Sequence, residues 1–122
     1  NVYLWVQGSE DLAKLHSMPE SDGIVPVQGG FAGLEQFVKE HRDIDYFGTR
    51  LHCGIYCLNH KIRSMIVTID NRAADIQRDT DIPTVDRSNL KRDMARLIEQ
   101  SRSTNINIPA ENIQRWKEQF RK

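Results

Sequence analysis

Neither sign of charge is in excess in this chain: its 122 residues carry 17 Lys and Arg against 17 Asp and Glu. That balance argues against a general nucleic-acid binder, because phosphate recognition draws on a surplus of cations. Cysteine is scarce too. The two present, Cys53 and Cys57, stand four positions apart and give no disulfide framework, so a reducing setting is expected. No apolar run approaches the roughly 20 residues of a membrane-crossing helix. The opening NVYLWVQG lacks the charged segment and cleavage signal of a secretory leader. Tandem repeats and low-complexity tracts are absent. The expectation is a cytoplasmic protein, a single domain over 1–122 large enough to bury one core. Because the chain opens abruptly in a strand-like run without methionine, it is expected to be a fragment of a longer protein.

The charge balance conceals an asymmetry. Residues 1–60 carry 4 Lys/Arg and 8 Asp/Glu, and residues 61–122 carry 13 and 9, with Arg115, Lys117, Arg121 and Lys122 at the end. A solvated helix face accounts for such a run; contact with an anionic membrane surface or a partner is the sharper alternative.

Strand-like and helix-like patterns alternate. VYLWV (2–6) precedes SEDLAKLHSM (9–18), which opens with a serine and two acids, as a helix should. GIVPV (23–27) precedes GGFAGLEQFVKEH (29–41), where Phe31, Leu34, Phe37 and Val38 recur at helical spacing. IDYFG (44–48) leads into 50–60, and SMIVTI (64–69) into a polar helix over 71–79. IPTV (82–85) reads as a short fifth strand, followed by a helix near 88–101 that presents Leu90, Met94, Leu97 and Ile98 to the sheet. A last helix, about 110–121, is expected to be fixed by Ile113, Trp116 and Phe120. The strands are continuous apolar runs, the pattern of a parallel sheet covered on both faces. The predicted fold is therefore α/β: a three-layer, doubly wound, Rossmann-like domain with a mostly parallel sheet. Pro26 places its strand at an edge or near an end.

In such sheets ligands bind beyond the carboxyl ends of the strands, where helix N-termini also point. The residues there are Gln7, Gln28, Gly29, Gly30, Thr49, Arg50, His52, Asp70, Asn71 and Arg72. Guanidinium forks with free backbone N–H groups suit a phosphate or carboxylate, so the expected ligand is an anion. Glycines that end strands and polar residues that cap helices are the plainer explanation. His52, in a first helical turn beside Arg50, is a candidate general acid/base or anion contact.

YFGTRLHCGIYCLNHK (46–61) carries two cysteines and two histidines. On one helix, positions 53 and 60 are about 10 Å apart along the axis, too far for ligands that zinc holds at about 2.0–2.3 Å. No metal site is assigned. Cys53 and Cys57 read as small apolar fillers of a buried helix, and His60 as a partner for the helix C-terminus.

DYFGTRLHCGIYCLNHKIRSMIVTIDNRAADIQRD (45–79) resembles the hallmark segment of the polysaccharide pyruvyl transferase family. In that family a strand ends in a Thr-Arg-Leu-His-Gly-like motif, a buried helix follows, and the next strand ends in an Asp followed shortly by a basic residue. VYLWVQG and GIVPVQGGFAGLEQFV stand where such proteins have earlier strand-helix units. The resemblance implies the C-terminal half of a GT-B-like fold. It also implies transfer of the enolpyruvyl group of phosphoenolpyruvate onto a sugar of a cell-surface polysaccharide or exopolysaccharide, forming a pyruvate ketal. On this reading Arg50 contacts the donor's phosphate or carboxylate and His52 acts as acid/base or positions the donor. Thr49 and Leu51 complete the motif, and Asp70, Asn71 and Arg72, with Gln28, Gly29 and Gly30, complete the pocket. Cys53 departs from the motif's glycine. The implied partners are phosphoenolpyruvate, a saccharide acceptor and an absent N-terminal half of the same chain, without a cofactor. Contact with the inner face of a membrane is expected to be peripheral at most, and the isolated chain to be inactive. The alternative enzyme is the nucleotide-sugar half of a GT-B glycosyltransferase. A flavodoxin-like receiver would need acids where this chain has Gln7 and Gly8.

Overall fold

The computed structural model describes residues 1–121. Strands and helices alternate through most of it, every strand pair is parallel, and the chain falls into two compact units, Asn1–Asp43 and Ile44–Lys122.

In the first unit, β1 (Val2–Trp5), α1 (Ser9–His16), β2 (Ile24–Val27) and α2 (Gly30–Glu40) follow in order. β1 and β2 form a two-stranded sheet, with Val2 opposite Ile24 and Trp5 opposite Val27. Pro26 therefore lies in an edge strand, as its missing N–H requires. α1 starts where the sequence places it: the Asp11 carboxylate accepts from the amides of Gln7 (2.9 Å) and Gly8 (3.3 Å), two donors that would otherwise be orphaned. Val6, Leu15, Leu34 and Val38 are buried, whereas Phe31 is exposed.

The second unit holds β3 (Asp45–Gly48), α3 (Leu51–Asn59), β4 (Arg63–Thr68), α4 (Asn71–Thr80) and β5 (Thr84–Asp86). A 3₁₀ turn (Arg87–Asn89), α5 (Leu90–Glu99) and α6 (Ala110–Glu118) complete it. The sheet order is β3-β4-β5. β4 is central, and its apolar run is continuous because both of its faces are covered. Ile66 points into a cluster with Ala73 and Ile82, closed by Leu51 and Leu58 of α3 and Ile76 of α4. Met65 and Val67 point the other way, to Val85 and to Leu90 and Leu97 of α5. Burial of each such side chain stabilises the unit by about 1.5–3 kcal/mol relative to exposure.

Arg63, at the start of β4, pairs with Asp45 and donates to the carbonyls of Ile98 (2.7 Å) and Gln100 (2.8 Å). It thereby satisfies acceptors at the α5 C-terminus that the helix leaves open.

A two-stranded parallel sheet lies in the first unit and a three-stranded parallel sheet in the second. Two expectations need correction. Met94 and Ile98 are 45% and 49% exposed, so the buried apolar contact of α5 with the sheet is made by Leu90 and Leu97. Ile113, Trp116 and Phe120 are exposed, so they do not anchor α6 by burial. Helical spacing reports an apolar face, not what covers it. α6 forms locally, with Glu111 in its first turn and Arg115 and Lys117 in its last, each complementing the helix dipole.

Candidate functional site

The sequence-predicted residues of the second unit lie at the carboxyl ends of two neighbouring strands. Thr49 and Arg50 join β3 to α3, and Asp70 to Arg72 join β4 to α4; β3 and β4 run side by side, Gly48 opposite Ile66. Thr49, Arg50, Asp70, Asn71 and Arg72 are exposed, and His52 is exposed in the first turn of α3. Leu51 differs from them: it packs into the Ile66 cluster, so its part in the site is to seat the start of α3.

The β3–α3 turn is held by Tyr46, which sequence reasoning passed over. Its hydroxyl donates to the Arg50 carbonyl (2.9 Å) and accepts from the Arg50 amide (3.0 Å). The Arg50 carbonyl also accepts the first helical bond, from Gly54 (3.0 Å). Burial pushes the Tyr46 phenol well above its usual range, so it stays protonated and keeps donating.

Cys53 faces inward at 2% exposure beside Cys57 at 3%. The Cys53 thiol is pushed up, first by its hydrogen bond with Cys57 and then by burial, and it stays a protonated filler. Close approach falls one position later than the motif's glycine, at Gly54, where a Cβ would meet Ile66 Cδ1 at 2.7 Å. His60 turns its Nδ1 to the Tyr56 carbonyl (2.8 Å) and stacks on the Tyr56 ring, closing the end of α3. Among the described residues no three His, Cys, Asp or Glu side chains are grouped to hold a metal ion.

At the β4–α4 turn, Asp70 caps the helix through the Arg72 amide (3.0 Å), and the Arg72 guanidinium folds back on the same carboxylate (2.6 Å). That side-chain bond holds the Asp70 carboxyl below the usual range. The neighbouring β5 ends in the same device: Asp86 accepts from the amide (2.8 Å) and hydroxyl of Ser88, which lowers its carboxyl too. Between the two turns lies an open cleft of about 650 Å3, lined by Thr68, Asp70, Asn71, Asp86, Arg87 and Ser88 among others. It presents two ionised carboxylates, one guanidinium and several hydroxyl and amide groups, a set suited to a hydroxyl-rich ligand with a polar or anionic substituent. Asp70 and Asn71 thus enter the cleft; Arg50, His52 and Arg72 do not line it. The signal for Asp86 and Ser88 was available, since an Asp-x-Ser after an apolar run repeats the capping pattern of Asp70-x-Arg72.

Gln28, Gly29 and Gly30 belong to the first unit. Gly29 and Gly30 have φ of 92° and 57°, left-handed values that let the chain turn from β2 into α2. The Gly30 carbonyl accepts from the Trp5 indole (2.8 Å), and Gly33 packs on the Gln28 carbonyl too closely for any side chain. Within this unit the glycines serve the turn.

In comparisons with known proteins, no family model, no curated protein and no solved structure matches this chain.

Proposed function

We propose that this chain is the donor-binding half of a pyruvyl transferase, taking phosphoenolpyruvate and passing its enolpyruvyl group to a sugar of a cell-surface polysaccharide, with inorganic phosphate as the leaving group. The carrying observation is that Thr49-Arg50-Leu51-His52 and Asp70-Asn71-Arg72 end adjacent parallel strands and open consecutive helices. In this reading Arg50 meets the donor anion at the α3 N-terminus, where helix dipole and guanidinium act together. His52, exposed one position into that helix, exchanges the proton. The chain is then the C-terminal half of a GT-B-like, doubly wound pair. A second Rossmann-like half, N-terminal in the resembled family, supplies the acceptor wall. The setting is the cytoplasm, where phosphoenolpyruvate is made, with no cofactor.

One observation favours a second reading. The ionised Asp70 and Asp86 flank the cleft as carboxylates do around ribose hydroxyls, which suits the nucleotide-sugar half of a GT-B glycosyltransferase.

Thermal melting of the 122-residue chain separates the two. Millimolar phosphoenolpyruvate is expected to raise the melting temperature, and Arg50→Ala to remove the rise. Stabilisation by a uridine or guanosine diphosphate sugar, with none by phosphoenolpyruvate, would replace the first reading by the second.

A further inference from the structure

The transferase reading leaves the C-terminal helix without a role. Every residue of α6 is exposed, including Ile113 (40%), Trp116 (59%) and, just past its end, Phe120 (68%). At 100° per residue Ile113, Trp116 and Phe120 fall within an arc of about 60°. The last turn tightens, with the Phe120 amide bonding to the Lys117 carbonyl (3.2 Å), and Phe120 stays edge-on to Trp116 with ring centres 4.9 Å apart. One face is therefore an uncovered aromatic and aliphatic stripe.

The charges are sorted around it. Lys117 borders the stripe on one side and Arg121, just past the helix end, continues that side at helical spacing, while Glu111, Arg115 and Glu118 fall on the opposite face. Gln114 holds Glu118 there through a 3.0 Å bond. Ile108, in the approach to the helix, adds an apolar side chain that is 65% exposed. An apolar face rich in aromatics, bordered by cations and turned away from acids, matches the headgroup boundary of an anionic bilayer. A second copy fits poorly: two such faces packed together would set Lys117 and Arg121 near their own counterparts, with the acids out of reach.

We propose that α6 is an interfacial membrane anchor, lying along the surface of an anionic bilayer with Ile113, Trp116 and Phe120 in the acyl boundary and Lys117 and Arg121 at the phosphates. This needs nothing from the transferase reading, and vesicle binding can fail while phosphoenolpyruvate still stabilises the chain.

The test mixes the 122-residue chain with phosphatidylglycerol-containing vesicles and with phosphatidylcholine vesicles. Expected are co-sedimentation with the first alone, weakening with salt, and a blue shift of indole emission that Trp116→Phe removes. Lys117→Gln and Arg121→Gln should each lower partitioning about fivefold, and Trp116→Ser should lower it further. Circular dichroism and melting should stay at wild-type values, because these side chains are exposed. Equal binding to both lipids, or to neither, overturns the proposal. So does a concentration-dependent dimer in sedimentation equilibrium that Trp116→Ser dissolves.

Discussion

The hydroxyl of Tyr46 occupies the space that a side chain on Gly48 would take: a Cβ there would lie 2.8 Å from it. The bare glycine lets the phenol fold across the strand end and grip both backbone polar groups of Arg50. Tyr46→Phe keeps the ring and loses the grip. It should lower stability by about 1–2 kcal/mol in urea unfolding and, on the pyruvyl-transferase reading, weaken phosphoenolpyruvate stabilisation by loosening the turn that carries Arg50. The folded phenol titrates above its unfolded value of about 10, so its contribution is intact below that pH and is lost as pH rises beyond it. Wild type should therefore lose stability above pH 10 more steeply than Tyr46→Phe.

Arg50→Ala should weaken donor binding by about 1.5–3 kcal/mol, the worth of a hydrogen bond to a charged group, read by calorimetry. In a transferase assembled with its acceptor half, His52→Ala should cut kcat by roughly 10² to 10⁴ if the imidazole moves a proton in the transition state. Because the His52 side chain is exposed, its removal should leave the melting curve in place. Wild-type kcat and donor KM in either variant would reduce that residue to a helix-start residue.

Gly54→Ala tests the packing of α3 on β4. Alanine favours a helix by about 1 kcal/mol over glycine, but its methyl would press on Ile66 Cδ1 and stand 3.1 Å from Tyr46 Cε1. Overpacking of this kind costs about 1–3 kcal/mol. A net loss of stability is expected, and Gly54→Ala melting above wild type would contradict the contact.

Acid should be felt at two turns. The carboxyls of Asp70 and Asp86 titrate below the unfolded value of about 3.9, held down chiefly by the bonds from Arg72 and Ser88. A lowered folded pKa means stability that is present above the unfolded value and lost as pH falls through the folded one. The double variant Asp70→Asn, Asp86→Asn should flatten the decline in melting temperature below about pH 4. An unchanged slope would show that the two caps carry no proton linkage.

The alternation of elements was legible because continuous apolar runs and 3.6-residue spacing are local signals. Each strand-end residue could be placed at a turn for the same reason. Tyr46 was not legible, since its bond to Arg50 depends on a glycine two positions on and a ring folded over it. Nor was the exposure of Ile113, Trp116 and Phe120, whose spacing equals that of a buried face. Cys53 shows the limit of motif reading: its side chain turns inward toward Cys57 rather than out over the strand-end turns, and Gly54 takes the tight contact.

Every strand pair in the second unit joins sequence neighbours: Asp45 meets Arg63 and Ile66 meets Thr84, each eighteen positions apart. Closing such short loops costs little chain entropy, so β3-α3-β4 can assemble before the rest of the unit has formed. Folding should then be fast for a parallel sheet. The amides of β4, which open only with the whole sheet, should be the last to exchange with deuterated solvent.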